Sequence, residues 1–253
     1  MVSSTPRTAL VQGASRGLGL AFVEALLASP GVGQVLATAR DPEASRLADL
    51  RAAQPDRLVT LPLDVTREDT IARAAAESRE RAGRLHLLLN CSGVLHDDAR
   101  VQPEKRLERV DPEMLRRVFE VNAFGPLLVA KHFLPLLQHE DRSVLGNLSA
   151  RVGSIGDDRL GGWYGYRGSK AAQNLFTRNL SIELARRAPR CICVALHPGT
   201  VATDLSHPFR RPGSARTVFT PEQAAAQLLG VIDALEEGDS GRFLAWDGSE
   251  IPW

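Results

Sequence analysis

Strand-sized apolar runs alternate with helix-sized segments along this chain of 253 residues, and that alternation restricts the fold more than any other feature. Thr8-Ala-Leu-Val-Gln12 is a short apolar run ending at Gly13, and a helical pattern of Leu18, Ala21, Phe22, Ala25 and Leu26 follows it. Further strands are expected over 34–39, 58–63, 85–90, 143–149, 191–197 and 242–246. Helices are expected over 43–53, 68–82, 112–138, 166–187 and 221–236, the last announced by Thr220-Pro221. The helix over 112–138 should bend near Gly125-Pro126, and the one over 166–187 carries Ala172, Leu175, Phe176, Leu180 and Leu184 at three-to-four spacing. Strands separated by helices of this length imply a parallel sheet covered on both faces. The expected class is therefore α/β: one doubly wound parallel sheet of about seven strands with helices on both faces. No linker or repeat divides residues 1–253, so a single domain is expected.

Composition bounds the partners. Thirty-one basic and 30 acidic residues leave a net charge of +1, so no long-range field draws the chain to nucleic acid or a membrane. No basic stripe interleaved with aromatic residues is present, and no run approaches the roughly 18 apolar residues of a spanning helix. The start, Met-Val-Ser-Ser-Thr-Pro-Arg, lacks the apolar core of a leader peptide. Cys91, Cys191 and Cys193 are odd in number and form neither a CxxC pair nor a metal-ligand cluster, which argues against a disulfide framework. A cytoplasmic protein without a metal is expected.

Gly13-Ala-Ser-Arg-Gly17-Leu-Gly19 falls between the first strand and the first helix. Bare backbone there lets a diphosphate approach a helix N-terminus, although a tight turn needing φ > 0 also explains glycine. Tyr166 and Lys170 are four apart, so on a helix they share a face. A free phenol has a pKa of about 10, and a neighbouring ammonium lowers it, which makes a tyrosine usable as an acid near neutrality. Helix surface is the plain alternative for this pair.

Taken together, these motifs resemble the short-chain dehydrogenase/reductase family, and within it the C-factor-like carbonyl reductases. The resemblance runs through Gly13–Gly19, Leu63-Asp-Val65, Asn90-Cys-Ser-Gly93, Asn122, Asn147-Leu-Ser149, Tyr166-x-x-x-Lys170 and Pro198-Gly-Thr-Val-Ala-Thr203, covering essentially the whole chain. It implies a Rossmann-type fold, a nicotinamide cofactor and a homo-oligomer. It places Gly13, Ser15, Gly17, Leu18 and Gly19 at the cofactor phosphates and Asp64 and Val65 beside the adenine. Asn90 and Gly93 would close the cofactor floor, while Pro198, Gly199, Val201 and Thr203 lie toward the nicotinamide. Tyr166 would donate a proton to the carbonyl oxygen, Lys170 would hold the ribose hydroxyls and depress the phenol, and Asn122 would hold a water. Asp64 opening a turn and Asn122 marking a helix kink are the structural alternatives.

Arg40 ends the second strand about 20 positions past Gly19, where an acidic residue favours a free ribose hydroxyl and an arginine a 2′-phosphate. Arg16 is a second cation for that phosphate, Asp41 a counter-signal, and solvated surface the alternative for both arginines. The expectation is NADP(H). One departure stands out. The family pattern ends in two serines of which the second serves the substrate oxygen, and Ala150 occupies that place, leaving Ser149, favoured over Ser154, as surrogate. Cys91 replaces the second Asn of its motif and is expected to act as a small apolar residue.

Two functions follow. One is an NADP(H)-dependent oxidoreductase acting on a carbonyl or secondary alcohol of a small hydrophobic substrate. The other is an NADP-binding regulatory or signalling protein with vestigial catalysis, which Ala150 favours. Substrate specificity is expected in residues 203–219, which include Arg210-Arg211-Pro212, and in the loop 95–110, with Trp163 and His96 nearby.

Overall fold

The run Arg7–Gln12 forms β1, the centre of a sheet of seven parallel strands. The structure is a computed structural model describing residues 7–43, 46–97, 101–210 and 217–253. The other strands of the sheet are β2 (Val32–Ala39), β3 (Leu58–Pro62), β4 (Leu87–Asn90), β5 (Ser143–Leu148), β6 (Cys191–His197) and β9 (Phe243–Ala245). Their order is β3-β2-β1-β4-β5-β6-β9, every pairing parallel. Two short strands, β7 (Thr200–Val201) and β8 (Val218–Phe219), pair separately beside it.

The helices are α1 (Gly17–Ala28), α2 (Arg46–Ala53), α3 (Glu68–Ala82), α4 (Pro112–Phe119), α5 (Gly125–Leu137), α6 (Tyr164–Arg187) and α7 (Pro221–Ala234). Alternation along β1 decides which face each covers. Val11 joins Phe22, Leu26, Leu47 and Leu228 under α1, α2 and α7, whereas Leu10 joins Ile71, Phe133 and Leu184 under α3, α5 and α6. Each such fully buried side chain contributes about 1.5–3 kcal/mol, so strands apolar on both faces commit the chain to two helical layers. The chain leaves β1 for β2 and β3 on one side and for β4 on the other. That reversal opens a crevice at the carboxyl ends of β1 and β4, the usual ligand site of such sheets.

Two expectations change. The helix over 112–138 is α4, a wider π-type turn over Glu120–Phe124, and α5. The irregularity therefore precedes Gly125-Pro126, and Pro126 sits in the first turn of α5, where its missing N–H costs nothing. The buried face of α6 is also different. It consists of Gly165, Tyr166, Ser169, Lys170, Gln173, Asn174, Thr177, Ser181 and Leu184; of the expected apolar stripe only Leu184 is buried, and Leu175 is exposed. α2 begins at Arg46, with 44–45 outside the described residues, and other element ends shift slightly.

Candidate functional site

The turn after β1 is made by backbone. The N–H groups of Gly13 and Ala14 both donate to Thr38 O, at 3.0 and 2.9 Å. Gly13 has φ 82°, and a Cβ on Gly19 would lie 2.2 Å from Gly13 O, so only bare backbone closes this loop. α1 then opens at Gly17 with no side-chain cap and no acidic residue in its first turn. Its leading amides stand unpaired by any side chain at the crevice, with the positive end of the helix dipole behind them. Ser15 is half-buried in the loop, and Leu18 packs against the cluster of Val201 and Phe219.

Other segments close around this turn. Gln12 Nε2 donates to Ser92 Oγ (2.5 Å) and Gln12 Oε1 accepts the Ser92 N–H (3.2 Å), clipping the loop after β4 to the loop after β1. Asn90 Nδ2 donates to Asn147 Oδ1 (2.7 Å), while Asn90 Oδ1 is buried with no partner. Gly17 faces Thr203: a Cβ on Gly17 would lie 3.2 Å from Thr203 Cγ2. Arg16 reaches Asp204 across the same gap at 3.3 Å, both side chains well exposed. Pro198 and Gly199 lead into β7, and Gly199 abuts Phe219 and Trp246.

At the tip of β2, Arg40 is exposed and its charge reaches Asp64. Burial alone would raise the Asp64 carboxyl. Hydrogen bonds from the Thr66 N–H (2.9 Å) and Oγ1 (2.8 Å), with Arg117 and Arg40 nearby, outweigh that and hold it below its usual range. Val65 is buried against Gly125. Asp41 accepts the Glu43 N–H at 3.1 Å.

Tyr166 and Lys170 lie one turn apart on the buried face of α6, 9% and 3% exposed. Lys170 Nζ donates to Leu148 O (2.8 Å) at the end of β5 and to Gln173 Oε1 (2.9 Å). Burial brings the lysine down to about 7 and pushes the phenol up to about 12. The expected lowering of Tyr166 by Lys170 is thus absent, because the ammonium is turned to β5 and desolvation penalises charge on both groups. Two of the three lysine N–H groups are committed. A Cβ on Gly93 would lie 3.9 Å from Nζ and 3.6 Å from Asn122 Oδ1, so the ammonium borders the crevice floor.

Asn122 occupies the wide turn, and its amide is spent on protein. Oδ1 accepts the Val94 N–H (2.8 Å), and Nδ2 donates to Val94 O (2.9 Å) and to Ser169 Oγ (3.0 Å). Ser169 Oγ donates in turn to Tyr166 O (2.8 Å), so Asn122 ties the loop after β4 to the turn bearing the phenol. Ser149 Oγ gives its proton to Asn174 Oδ1 (2.6 Å), and Ser154 Oγ gives its own to Pro252 O. Cys91 is half-buried, and burial raises its thiol despite the nearby Lys170.

Over the phenol stand aromatic rings. Trp163 meets Tyr166 edge-on at 6.3 Å and Phe209 at 5.0 Å, and Phe209 meets His96 at 5.5 Å. Residues 98–100 and 211–216 of the two specificity loops, Arg211 and Pro212 among them, lie outside the described residues. Four contributors went unnoticed in the sequence: Gln12, Ser92, Asn174 and Glu104. Their partners stand 80, 25 and 61 positions away, so no local spacing marks them, although a buried glutamine ending β1 is a cue.

A glycine turn and an uncapped helix at the point where strand order reverses, facing a buried tyrosine and lysine, define a dinucleotide-binding α/β protein. The sequence model for short chain dehydrogenases matches residues 7–213. A 1-hydroxy-2-glutathionyl-2-methyl-3-butene dehydrogenase of Rhodococcus sp. (strain AD45) is 37% identical over 81% of this chain and 84% of its own length. The C-signal protein of Myxococcus xanthus is 38% identical over 57% of this chain and 81% of its own. An NADPH-bound carbonyl reductase from chicken fatty liver superposes with a TM-score of 0.86 at 33% identity, covering 98% of this chain and 94% of that one. The chain belongs to the short-chain dehydrogenase/reductase family of oxidoreductases. No helix among the described residues is long and apolar enough to cross a membrane.

Proposed function

We propose that the protein is an NADP(H)-dependent oxidoreductase interconverting a carbonyl and a secondary alcohol on a small hydrophobic substrate. One observation carries this: buried Tyr166 and Lys170 border the same crevice as the glycine turn and the uncapped start of α1. The residues suit the cofactor. Bare backbone at Gly13 and Gly19 leaves a cradle, and the orphaned Asn90 Oδ1 offers an unspent acceptor. Gly13, Ser15, Gly17, Leu18 and Gly19 would hold the diphosphate, and Asp64 and Val65 the adenine end. Arg16 and Arg40 would hold a 2′-phosphate, which Arg16 could reach only by leaving Asp204. Asn90, Gly93 and Lys170 would meet the ribose, and Pro198, Gly199, Val201 and Thr203 the nicotinamide.

When bound, the cofactor supplies or accepts the hydride. Tyr166, at about 12, keeps its proton at neutral pH and delivers it to the carbonyl oxygen. A phenol at that value is a weak donor, so turnover requires Lys170 to leave Leu148 O and turn its charge toward the phenol. At about 7 the lysine also exchanges its own proton readily near neutrality. Asn122 holds the Val94 loop and, through Ser169, the turn carrying Tyr166. Trp163 and Phe209 exclude water above the phenol and favour an apolar substrate. For Ser149 to serve the substrate oxygen it must release Asn174.

That last requirement, with Ala150 in the usual serine position, favours a second reading in which the protein binds NADP(H) as a regulator and turns over little. Cofactor consumption over a panel of carbonyls separates the two, with NADPH and NADH compared and Ser149→Ala and Ser154→Ala run beside the wild type. The first reading expects a higher kcat/KM with NADPH, and a serine that serves should cost about 10²–10³ in rate when removed. NADH used equally well would remove the 2′-phosphate assignment. NADPH bound but never consumed would establish the regulator.

A further inference from the structure

We propose that Glu104 is a positioning residue for Tyr166: it caps the N-terminus of α6 from a loop 61 positions earlier and so fixes where the phenol stands. The inference rests on the reading of Tyr166 as proton donor. α6 begins at Tyr164 without a local cap, because the preceding residue is Trp163, whose indole accepts no amide hydrogen bond. Trp163 is also the one non-glycine residue with positive φ among the described residues, at φ 52° and ψ 43°, a strained conformation for so bulky a side chain.

Glu104 supplies what is missing. Its backbone O accepts the Trp163 N–H at 2.5 Å, and its carboxylate oxygens accept the Gly165 N–H at 3.3 and 3.2 Å. The same residue therefore grips the chain on both sides of the first helical position. Glu104 is only 5% exposed. A carboxylate so buried needs donors, and the start of a 24-residue helix offers both an N–H and a favourable dipole. The fit is close: a Cβ on Gly165 would lie 2.9 Å from Glu104 Oε1 and 3.2 Å from Leu115 Cδ2. Tyr166 is the next residue, and Trp163 packs against its ring. Glu104 touches neither the phenol nor the crevice floor; it acts through the backbone that carries the phenol and the indole beside it.

Four proteins test this: wild type, Glu104→Ala, Glu104→Gln and Gly165→Ala, each followed by amide hydrogen exchange, kcat for carbonyl reduction and Kd for NADP⁺. Glu104→Ala should speed exchange at residues 163–167 while the later turns of α6 stay protected. It should lower kcat by about 10- to 100-fold, since small misplacements of a reacting group cost that much, with Kd unchanged. Glu104→Gln keeps an acceptor oxygen and should recover most of both losses. Gly165→Ala displaces the carboxylate from the other side and should reproduce the Glu104→Ala pattern, which also covers the case that Glu104→Ala does not fold. Unchanged exchange and kcat in Glu104→Ala would overturn the proposal, as would Glu104→Gln being as impaired as Glu104→Ala. A wild type that binds NADP⁺ and reduces no carbonyl defeats the functional reading instead, and the exchange data still decide the cap.

Discussion

On the glycine-loop side of the crevice, position is set by backbone: two amides on Thr38 O, a glycine carbonyl pressed against Gly19, and an uncapped helix. On the α6 side, position is set by buried side chains: Lys170 on Leu148 O and Gln173, Asn122 on Val94 and Ser169, Ser149 on Asn174, Glu104 on Gly165. The difference teaches where each half is vulnerable. Backbone cradles fail sterically and all at once, whereas side-chain networks fail by leaving polar groups unpaired and by changes in protonation.

Three experiments strain that contrast. Gly19→Val should have the largest effect, because its Cβ would meet a backbone carbonyl at 2.2 Å that no rotamer change relieves. Stability should fall by about 3 kcal/mol or more, read as a drop in Tm, and affinity for NADP⁺ should fall with it. A Gly19→Val protein of wild-type stability and affinity would break the account of the backbone half. Asn122→Ala comes next. It strips both polar groups of Val94 of their partner, which should cost on the order of 1–3 kcal/mol in denaturant unfolding while leaving the glycine turn and NADP⁺ affinity nearly intact. A loss of affinity as large as that of Gly19→Val would erase the distinction between the halves.

Acid should act most gently. Burial, with Arg151 as the next cause, lowers His197 to about 4, and burial, with His139 next, lowers His86. Both histidines bind a proton more weakly folded than unfolded. Their contribution is therefore present above the unfolded value of about 6.5 and is lost as pH falls from there toward about 4. Each group changes stability by at most about 1.4 kcal/mol per pH unit. His197→Gln should flatten the unfolding free energy against pH between those limits, and an unaltered slope would remove His197 from the account.

The same contrast explains what the sequence disclosed. The seven strands, the helical layers and the glycine turn were legible because period and turn chemistry are local: Leu10 and Val11 announce a strand buried on both faces, and Gly13 to Gly19 announces a tight turn into a helix. The wide turn at Glu120–Phe124 was not, since a π-type turn changes neither composition nor period enough to mark it. The buried face of α6 was misjudged for a related reason. Gln173, Asn174 and Thr177 look like surface residues until the ends of β5 and their own network are seen to satisfy them. The pairing of Tyr166 with Lys170 was legible as spacing, but its electrostatics depended on burial and on where Nζ points. Glu104 carried no local mark.

The central claim is that Tyr166 delivers a proton to a carbonyl at this crevice. A single-turnover experiment tests it most directly: wild type and Tyr166→Phe are preloaded with NADPH, their affinities for it measured, and each mixed with a reducible carbonyl. The account predicts equal NADPH binding, a rapid oxidation phase in the wild type, and a rate lower by about 10²–10⁴ in the variant. Oxidation in Tyr166→Phe at the wild-type rate would contradict it.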